Sequence, residues 1–199
     1  MMAAGTRTVP GWLSHLRTDR RGLPVPYINQ WGLEEDLARV SIRHDRHIGG
    51  PGLHYDDIGL TVPDFTKQNW QRQRECMLGG RCQVCHRPVP WSRRFLVLAA
   101  MSVDQVRMGN RTYGVVTEPW LDDRCARYAM EVCPALIRRT REEQLTLVPI
   151  TSKWQGQLLT SVGWVEGPLE VESKRVQPAM WVKFYLPDLV VTVGQGGRR

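Results

Sequence analysis

The segment with the clearest potential chemistry is Arg81-Cys82-Gln83-Val84-Cys85-His86-Arg87-Pro88. Its cysteines are separated by two residues, with Gly79-Gly80 before them and Pro88 after. This composition fits a tight turn, here called the knuckle, whose thiolates converge on one metal ion. Zinc takes four ligands in a tetrahedron with Zn–S bonds of ~2.3 Å, so further donors must come from elsewhere. The spacing alone is also compatible with a redox pair or with two buried thiols.

A second cysteine-bearing stretch, residues 118–125, follows about 40 residues after the knuckle and ends at Cys125. We predict that Cys125 joins Cys82 and Cys85 in one zinc site. For the fourth ligand two residues remain open. Asp122 lies three residues before Cys125 and would share its helical face. Cys76 is a softer donor at the end of the helix that leads into the knuckle.

Other possible fourth ligands are less favourable. Cys133 lies eight residues beyond Cys125, a rise of about 12 Å along a helix. Ligands of one tetrahedral zinc are only about 4 Å apart, so these two cysteines should not share an ion unless the helix breaks early. His86 follows Cys85 directly and would need an awkward turn to reach the same metal.

The elements that must position these residues predict an α+β protein. Residues 1–33 alternate apolar residues with prolines and are expected to form an extended arm packed on the core. Residues 34–199 are expected to form one domain with a C-terminal antiparallel sheet. Within it, the order knuckle, hairpin, helix over about residues 76–137 is that of a treble-clef-like zinc module.

Local patterns predict the individual elements. Two helices are expected, one over residues 64–78 capped by Asp64, and one from Leu121 that is capped by Asp122 or Asp123 and broken at Cys133 by Pro134. Residues 44–57 are expected to form a loop. Strands are predicted over 38–42, 95–101, 112–117, 145–150, 158–165, 180–186 and 189–193, with Gly109-Asn110 as the turn of a hairpin.

The net charge of +7 comes from 23 arginines and only four lysines. Arginine binds phosphate bidentately, so a basic surface of this kind can attract nucleic acid, although codon usage in a GC-rich genome explains the excess equally well. If the two cysteine stretches meet, their arginine clusters meet as well. The residues predicted to contact nucleic acid are Arg72, Arg74, Arg87, Arg93, Arg94, Arg124, Arg127 and Arg138.

Composition also limits the class of protein. A hydrophobic fraction of 42% indicates a packed globule. No apolar run approaches the roughly 20 residues of a membrane helix, and the N-terminus lacks a secretory signal, so a cytoplasmic location is expected. An odd number of cysteines, five, in such a compartment favours metal binding over disulfides. The sequence does not indicate the oligomeric state.

Two alternative functions remain open. The first is an adaptor that binds a host protein through exposed Trp12, Tyr27 and Trp31 of the arm. The second is a metal-dependent hydrolase or nuclease that uses His44, His47 and His54. For the second, a solvated loop of mixed charge is the preferred interpretation. Nucleases of the HNH class are set aside because no histidine follows His86.

The chain resembles an uncharacterised family of small bacterial, phage and prophage proteins. The resemblance rests on Arg21-Gly22-Leu23-Pro24-Val25-Pro26, on the knuckle, on Glu118-Pro119, on Cys125-Ala126 and on Cys133-Pro134. It covers roughly residues 17–137 and implies a zinc-type module, a possible mobile-element origin and no particular activity. The family's cysteine and histidine before the helix are replaced here by Leu121 and Asp122. If that histidine is a metal ligand in the family, this chain has replaced it with Asp122 or uses Cys76 instead.

Overall fold

A computed structural model describes residues 8–32, 34, 40–55, 62–99, 104–108, 110–141, 145–149, 159–161, 169–171, 174–176 and 181–187. Helices and antiparallel sheets are both present, which confirms the α+β class. The helices are α1 (Trp70–Gly79), α2 (Asp123–Val132) and α3 (Pro134–Arg141). The strands are β1 (Asn29–Trp31), β2 (Val40–Asp45), β3 (Gly50–Tyr55), β4 (Pro63–Gln68), β5 (Arg94–Ala99), β6 (Asp104–Met108), β7 (Arg111–Val116), β8 (Leu121–Asp122), β9 (Leu145–Pro149), β10 (Leu159–Ser161), β11 (Leu169–Val171), β12 (Lys174–Val176) and β13 (Trp181–Pro187).

The strands of the described residues pair in five antiparallel groups. Three are two-stranded: β1 with β4, β2 with β3, and β11 with β12. One sheet has the order β8-β5-β9, and another has the order β10-β13-β7-β6. Strand β7 pairs with β6, which was not predicted, while β5 pairs with β8 and β9. Gly109 of the predicted Gly109-Asn110 turn lies outside the described residues. The predicted strand over 189–193 lies outside the described residues.

The first helix starts later than predicted. Residues 63–68 form β4 because they pair with Asn29–Trp31 of the arm. Asp64 is not the cap: its carboxylate accepts hydrogen bonds from the backbone N–H and the hydroxyl of Thr66. Asn69 caps α1 instead, accepting from the N–H of Arg72. The helix ends as predicted, with Gly80 in the left-handed conformation at φ 63°.

The predicted loop over 44–57 is a turn at residues 46–49, but residues 44–45 and 50–55 are wrong as loop because they belong to the strands of a hairpin. Strands β2 and β3 pair from Val40↔Tyr55 to Asp45↔Gly50. Pro51 is tolerated because a two-stranded ribbon leaves both strands at an edge. Gly52 is required for space, since a Cβ atom there would lie 2.9 Å from Nη2 of Arg74. The hairpin therefore closes over the Arg74 side chain of α1.

The second helix agrees with the prediction in its cap and its end, but it starts at Asp123, and Leu121 belongs to strand β8. Asp122 caps α2 by accepting from the N–H of Arg124 at 3.0 Å. Cys133 is extended, with ψ at 114°, because the proline that follows disfavours helical geometry at this position. The chain then continues into α3, so the helix breaks after Val132.

The main core cluster forms around the cysteines. Arm residue Leu13 is fully buried in it, and Trp12 and Leu16 pack against it. Its buried members are Leu13, Cys82, Val84, Cys85, Val89, Leu96, Val116, Trp120, Leu121, Cys125 and Ala126. The knuckle, β5, β8 and α2 thus share one apolar interior with the arm.

A buried ion pair joins α1 to the β2–β3 hairpin. Nε of Arg74 lies 2.8 Å from Oδ2 of Asp45, with the side chains 0% and 3% exposed. Burial alone would raise the pKa of Asp45, but hydrogen bonds from Arg74 and from the His47 N–H, together with the Arg74 charge, lower it below 3.8. The pair therefore contributes stability above the usual carboxyl pKa and loses it as pH falls through the lowered value.

We predict that Asp45→Asn destabilises the fold by about 3–5 kcal/mol at neutral pH, because it leaves the buried Arg74 charge unpaired. Urea unfolding monitored by tryptophan fluorescence measures this. The control is Arg127→Gln, which breaks a pair whose arginine is 75% exposed and should cost less than about 1 kcal/mol. Equal losses in the two variants would contradict the structural role given to the Asp45–Arg74 pair.

Candidate metal centre

The knuckle is a closed turn held by its own backbone. Arg81 and Pro88 form an antiparallel bridge. The N–H of Cys82 donates to the Arg87 carbonyl at 2.9 Å, and the N–H of His86 donates to the Cys82 carbonyl at 2.8 Å. These bonds fold the chain back on itself between its two cysteines, as a C-x2-C metal turn requires.

The second cysteine stretch is brought to the knuckle by strand pairing. Strand β8 pairs with β5 through Arg94↔Asp122 and Phe95↔Leu121. The N–H of Gln83 donates to the carbonyl of Trp120 at 3.1 Å, which joins the knuckle to the chain entering β8. Helix α2 begins at once after β8, so Cys125 lies in its first turn, beside the knuckle.

The ligand atoms of Cys82, Cys85 and Cys125 all lie within 4.8 Å of one another. The three side chains are buried, with residue exposures of 0%, 4% and 0% respectively. Sulfurs bound to one tetrahedral zinc are about 4 Å apart, so little adjustment is needed to hold an ion. The prediction that the two distant stretches meet is confirmed, and the three cysteines are close enough to bind a metal ion.

The surroundings of the sulfurs favour a single thiolate. A hydrogen bond with Cys125 lowers the pKa of Cys82, but hydrogen bonding to Cys85 and burial raise it overall to about 11. Sγ of Cys82 accepts from the N–H of Val84 at 3.4 Å and from the N–H of Asp122 at 3.3 Å. Hydrogen bonds from Cys125 and Cys82 lower the pKa of Cys85 to about 2. Hydrogen bonds to Cys82 and Cys85, together with burial, raise the pKa of the Cys125 thiol. One of the three sulfurs is therefore favoured as a thiolate while the other two keep their protons. A soft metal cation would replace those protons when it binds.

The two proposed fourth ligands have other partners in this structure. The Asp122 carboxylate caps α2 and forms ion pairs with Arg93 at 3.0 Å and Arg124 at 3.5 Å. The Cys76 thiol is fully buried and donates to the carbonyl oxygen of Cys82 at 3.7 Å. Among the described residues, neither belongs to the group of ligand atoms that lie mutually close. Cys133 is half-buried at the end of α2 and also lies outside it.

The arginines predicted to contact nucleic acid divide into buried and exposed sets. Arg74 is wrong as a phosphate ligand because it is fully buried against Asp45. Arg94 is 9% exposed, donates to the Val89 carbonyl and lies 4.2 Å over the Trp120 ring, so it too is a core residue. Arg72 is held by Glu34 and the Asn29 carbonyl. The members that reach solvent are Arg87, Arg93, Arg124, Arg127 and Arg138.

The histidines of the catalytic alternative do not converge. His54 pairs with Ser41 across the hairpin and so shares a face with Asp45, while His44 lies on the opposite face. His47 is in the turn between the strands. Burial and the charge of Arg74 lower the pKa of His54. In the described part of the chain these residues form no group that could hold a metal.

The aromatic residues of the arm pack on the protein itself. Trp31 is buried. Tyr27 stacks on His86 with ring centroids 3.7 Å apart, and its hydroxyl donates to Glu75. Trp12 makes an edge contact with Tyr128 of α2. Trp12 and Tyr27 are half-buried, so none of the three aromatic residues proposed for the adaptor alternative is fully exposed.

The contacts by which the arm holds the knuckle were not predicted from the sequence. The N–H groups of Tyr27 and Ile28 donate to the carbonyls of Val84 and Gln83, each at 3.0 Å. The His15 ring bonds the Cys85 carbonyl at 3.0 Å. These are mainly backbone contacts across long sequence separations, and no residue pattern signals them.

Comparisons with known proteins give no relative. The chain matches no protein-family model, no curated protein and no solved structure. Within the described residues, none of the helices has the length and apolar character needed to cross a bilayer. The site must therefore be interpreted from its own geometry.

We predict that Cys125→Ser abolishes stoichiometric metal binding, whereas Cys133→Ser keeps it, because only Cys125 is in the sulfur cluster. The test is metal content per chain by mass spectrometry of proteins purified in parallel. Chelation should lower the free energy of unfolding of wild type by about 3 kcal/mol or more and leave Cys125→Ser unchanged. Equal metal content in the two variants would contradict the assignment.

Proposed function

We propose that this chain is a zinc-stapled, non-catalytic protein that binds nucleic acid in a regulatory role. The proposal rests on the contacts of Asp122, which caps α2 beside the three sulfurs that bring the knuckle and α2 together. There the guanidinium groups of Arg93 and Arg124 both contact the same carboxylate. Two cations around one anion leave a positive charge on the surface of the metal-stapled unit.

A structural role for the ion is supported by burial of its ligands. Structural zinc sites are closed by four protein ligands, whereas catalytic sites keep a position open for water or substrate. Here all three sulfurs belong to buried residues of the core cluster. The ion would cross-link two segments that are 40 residues apart in the chain (Cys85 to Cys125), and no reaction step is assigned to it.

A treble-clef-like arrangement is part of the proposal. Two ligands come from the knuckle and one from the first turn of α2, with strand pairing between them. This is the order expected of such a module, and the resemblance to phage and prophage proteins is consistent with a mobile-element origin.

For the fourth ligand the proposal favours Cys76 over Asp122. The Asp122 carboxylate already balances two arginines and caps a helix, so metal binding would leave those groups unpaired. Cys76 is a buried thiol with no charged partner in the hydrogen bond that it makes. The sulfur of Cys76 is also the donor atom that zinc and cobalt prefer in a thiolate site.

We predict that Cys76→Ser weakens metal binding and shifts the visible spectrum of the cobalt-loaded protein, since a thiolate leaves the coordination sphere. Asp122→Asn should keep the cobalt spectrum and lose about 1 kcal/mol of stability through its weaker charge at the helix start. Absorption titration with cobalt measures both. The reverse pattern, with the spectrum altered only in Asp122→Asn, would assign the fourth position to Asp122.

The nucleic-acid part of the proposal predicts a strong dependence on salt. Each phosphate neutralised contributes about −0.9 to the slope of log K against log[salt] for duplex DNA. Removing two contacts with Arg93→Gln and Arg124→Gln together should reduce the magnitude of that slope by about 2. Fluorescence anisotropy with labelled duplex and single-stranded DNA at 50–200 mM salt measures it.

The matched control is Arg46→Gln, which removes the same charge from an exposed residue in the turn between β2 and β3. It should leave the slope nearly unchanged. A flat salt response of the wild-type protein, or equal effects of the control and the double variant, would overturn the nucleic-acid function.

A further inference from the structure

A cleft of about 660 Å³ opens beside the knuckle and is not explained by the metal centre. Its wall is formed by the arm, α1 and the knuckle itself. The residues that matter for its chemistry are Arg17, Tyr27, Arg72, Arg81, His86 and Arg87. Its volume falls within the range of small-molecule sites, which are typically 300–1,000 Å³.

The cleft wall carries an excess of positive charge. Four arginines line it, at positions 17, 72, 81 and 87, and one carboxylate, Glu34, is already paired with Arg72. The Glu75 carboxylate accepts from the Tyr27 hydroxyl and lies 3.8 Å from Nε2 of His86. Arg81 donates one hydrogen bond to the His86 carbonyl, and a guanidinium has five N–H donors. Arg81 and Arg87 can therefore bind a phosphate in the cleft bidentately.

His86 supplies an aromatic surface in an unusual backbone conformation. Its φ of 57° is left-handed, and it is the one non-glycine residue with positive φ in the described part of the chain. Glycine would adopt this conformation without strain. The ring is held by stacking on Tyr27 at an interplanar angle of 13°, and Arg72 lies on the Tyr27 ring at 5.7 Å. Strained residues of this kind concentrate at ligand sites.

We propose that this cleft binds one nucleotide unit, with the phosphate on Arg81 and Arg87 and the base stacked on the face of the His86 ring that is turned away from Tyr27; the His86 side chain is 30% exposed. One face of the imidazole covers Tyr27, so a planar base would extend the stack on the other side. The unit comes either from a free mononucleotide or from an unpaired position of a single strand. The inference rests on the proposed function, since both assign the protein a ligand that is built of nucleotides.

The decisive variant is His86→Gly. It removes the aromatic surface and relieves the left-handed strain, so the knuckle should fold and retain its metal. Loss of one base stack should weaken binding of the cleft ligand roughly tenfold or more. Arg87→Gln should weaken it as well, and Arg46→Gln serves as the charge control outside the cleft.

The probes are adenosine and cytidine monophosphates, a single-stranded ten-base oligonucleotide, a duplex of the same sequence and inorganic phosphate. Titration calorimetry of wild type is expected to show binding of a mononucleotide or the single strand that is weakened by His86→Gly and not by Arg46→Gln. Binding of the mononucleotide without the strand identifies a free nucleotide as the ligand. Competition between the two identifies a shared site.

Three results would overturn the inference. One is unchanged affinity in His86→Gly, and another is inorganic phosphate competing as well as the mononucleotide, since charge alone would then explain binding. In both cases the proposed function would still hold if the protein binds the duplex in a salt-dependent way that requires Arg93 and Arg124. The third is no binding of any probe, which would remove both the cleft assignment and the proposed function.

Discussion

The convergence of three buried sulfurs is the constraint on which the rest of this structure depends. Cys82 and Cys85 come from a turn, and Cys125 comes from the start of a helix 40 residues later. Thiols of this kind are mutually repulsive once deprotonated, and burial increases that cost. A bound cation would supply the compensating charge, and the backbone N–H groups of Val84 and Asp122 both donate to the sulfur of Cys82. A metal ion held by the three sulfurs would link the knuckle to α2.

The arm is connected to the same constraint. Its backbone at Tyr27 and Ile28 bonds to the knuckle, and Leu13 is buried in the cluster that contains the cysteines. The cleft lies where arm, α1 and knuckle meet. Cys85 lines the cleft and precedes His86 in the same turn, so the sulfur cluster and the cleft share part of their wall.

The knuckle and the second helix could be predicted from sequence because their signals are local. A C-x2-C turn between glycine and proline, and a capped amphipathic helix ended by Pro134, need no distant partner to be identified. The start of α1 could not be predicted in this way. Asp64 and Asn69 are both suitable N-cap residues. Asn69 is the cap because residues 63–68 pair as β4 with β1, which lies more than 30 residues away in sequence. Arg74 resembled a surface arginine, yet its partner Asp45 is 29 residues distant and turns it into a core residue.

X-ray absorption at the metal edge of the purified protein tests the central claim most directly. We expect one zinc ion per chain with Zn–S bonds of about 2.3 Å to at least three sulfurs, the thiolates of Cys82, Cys85 and Cys125. A protein that is folded without metal, or whose metal has only nitrogen and oxygen neighbours, would contradict it.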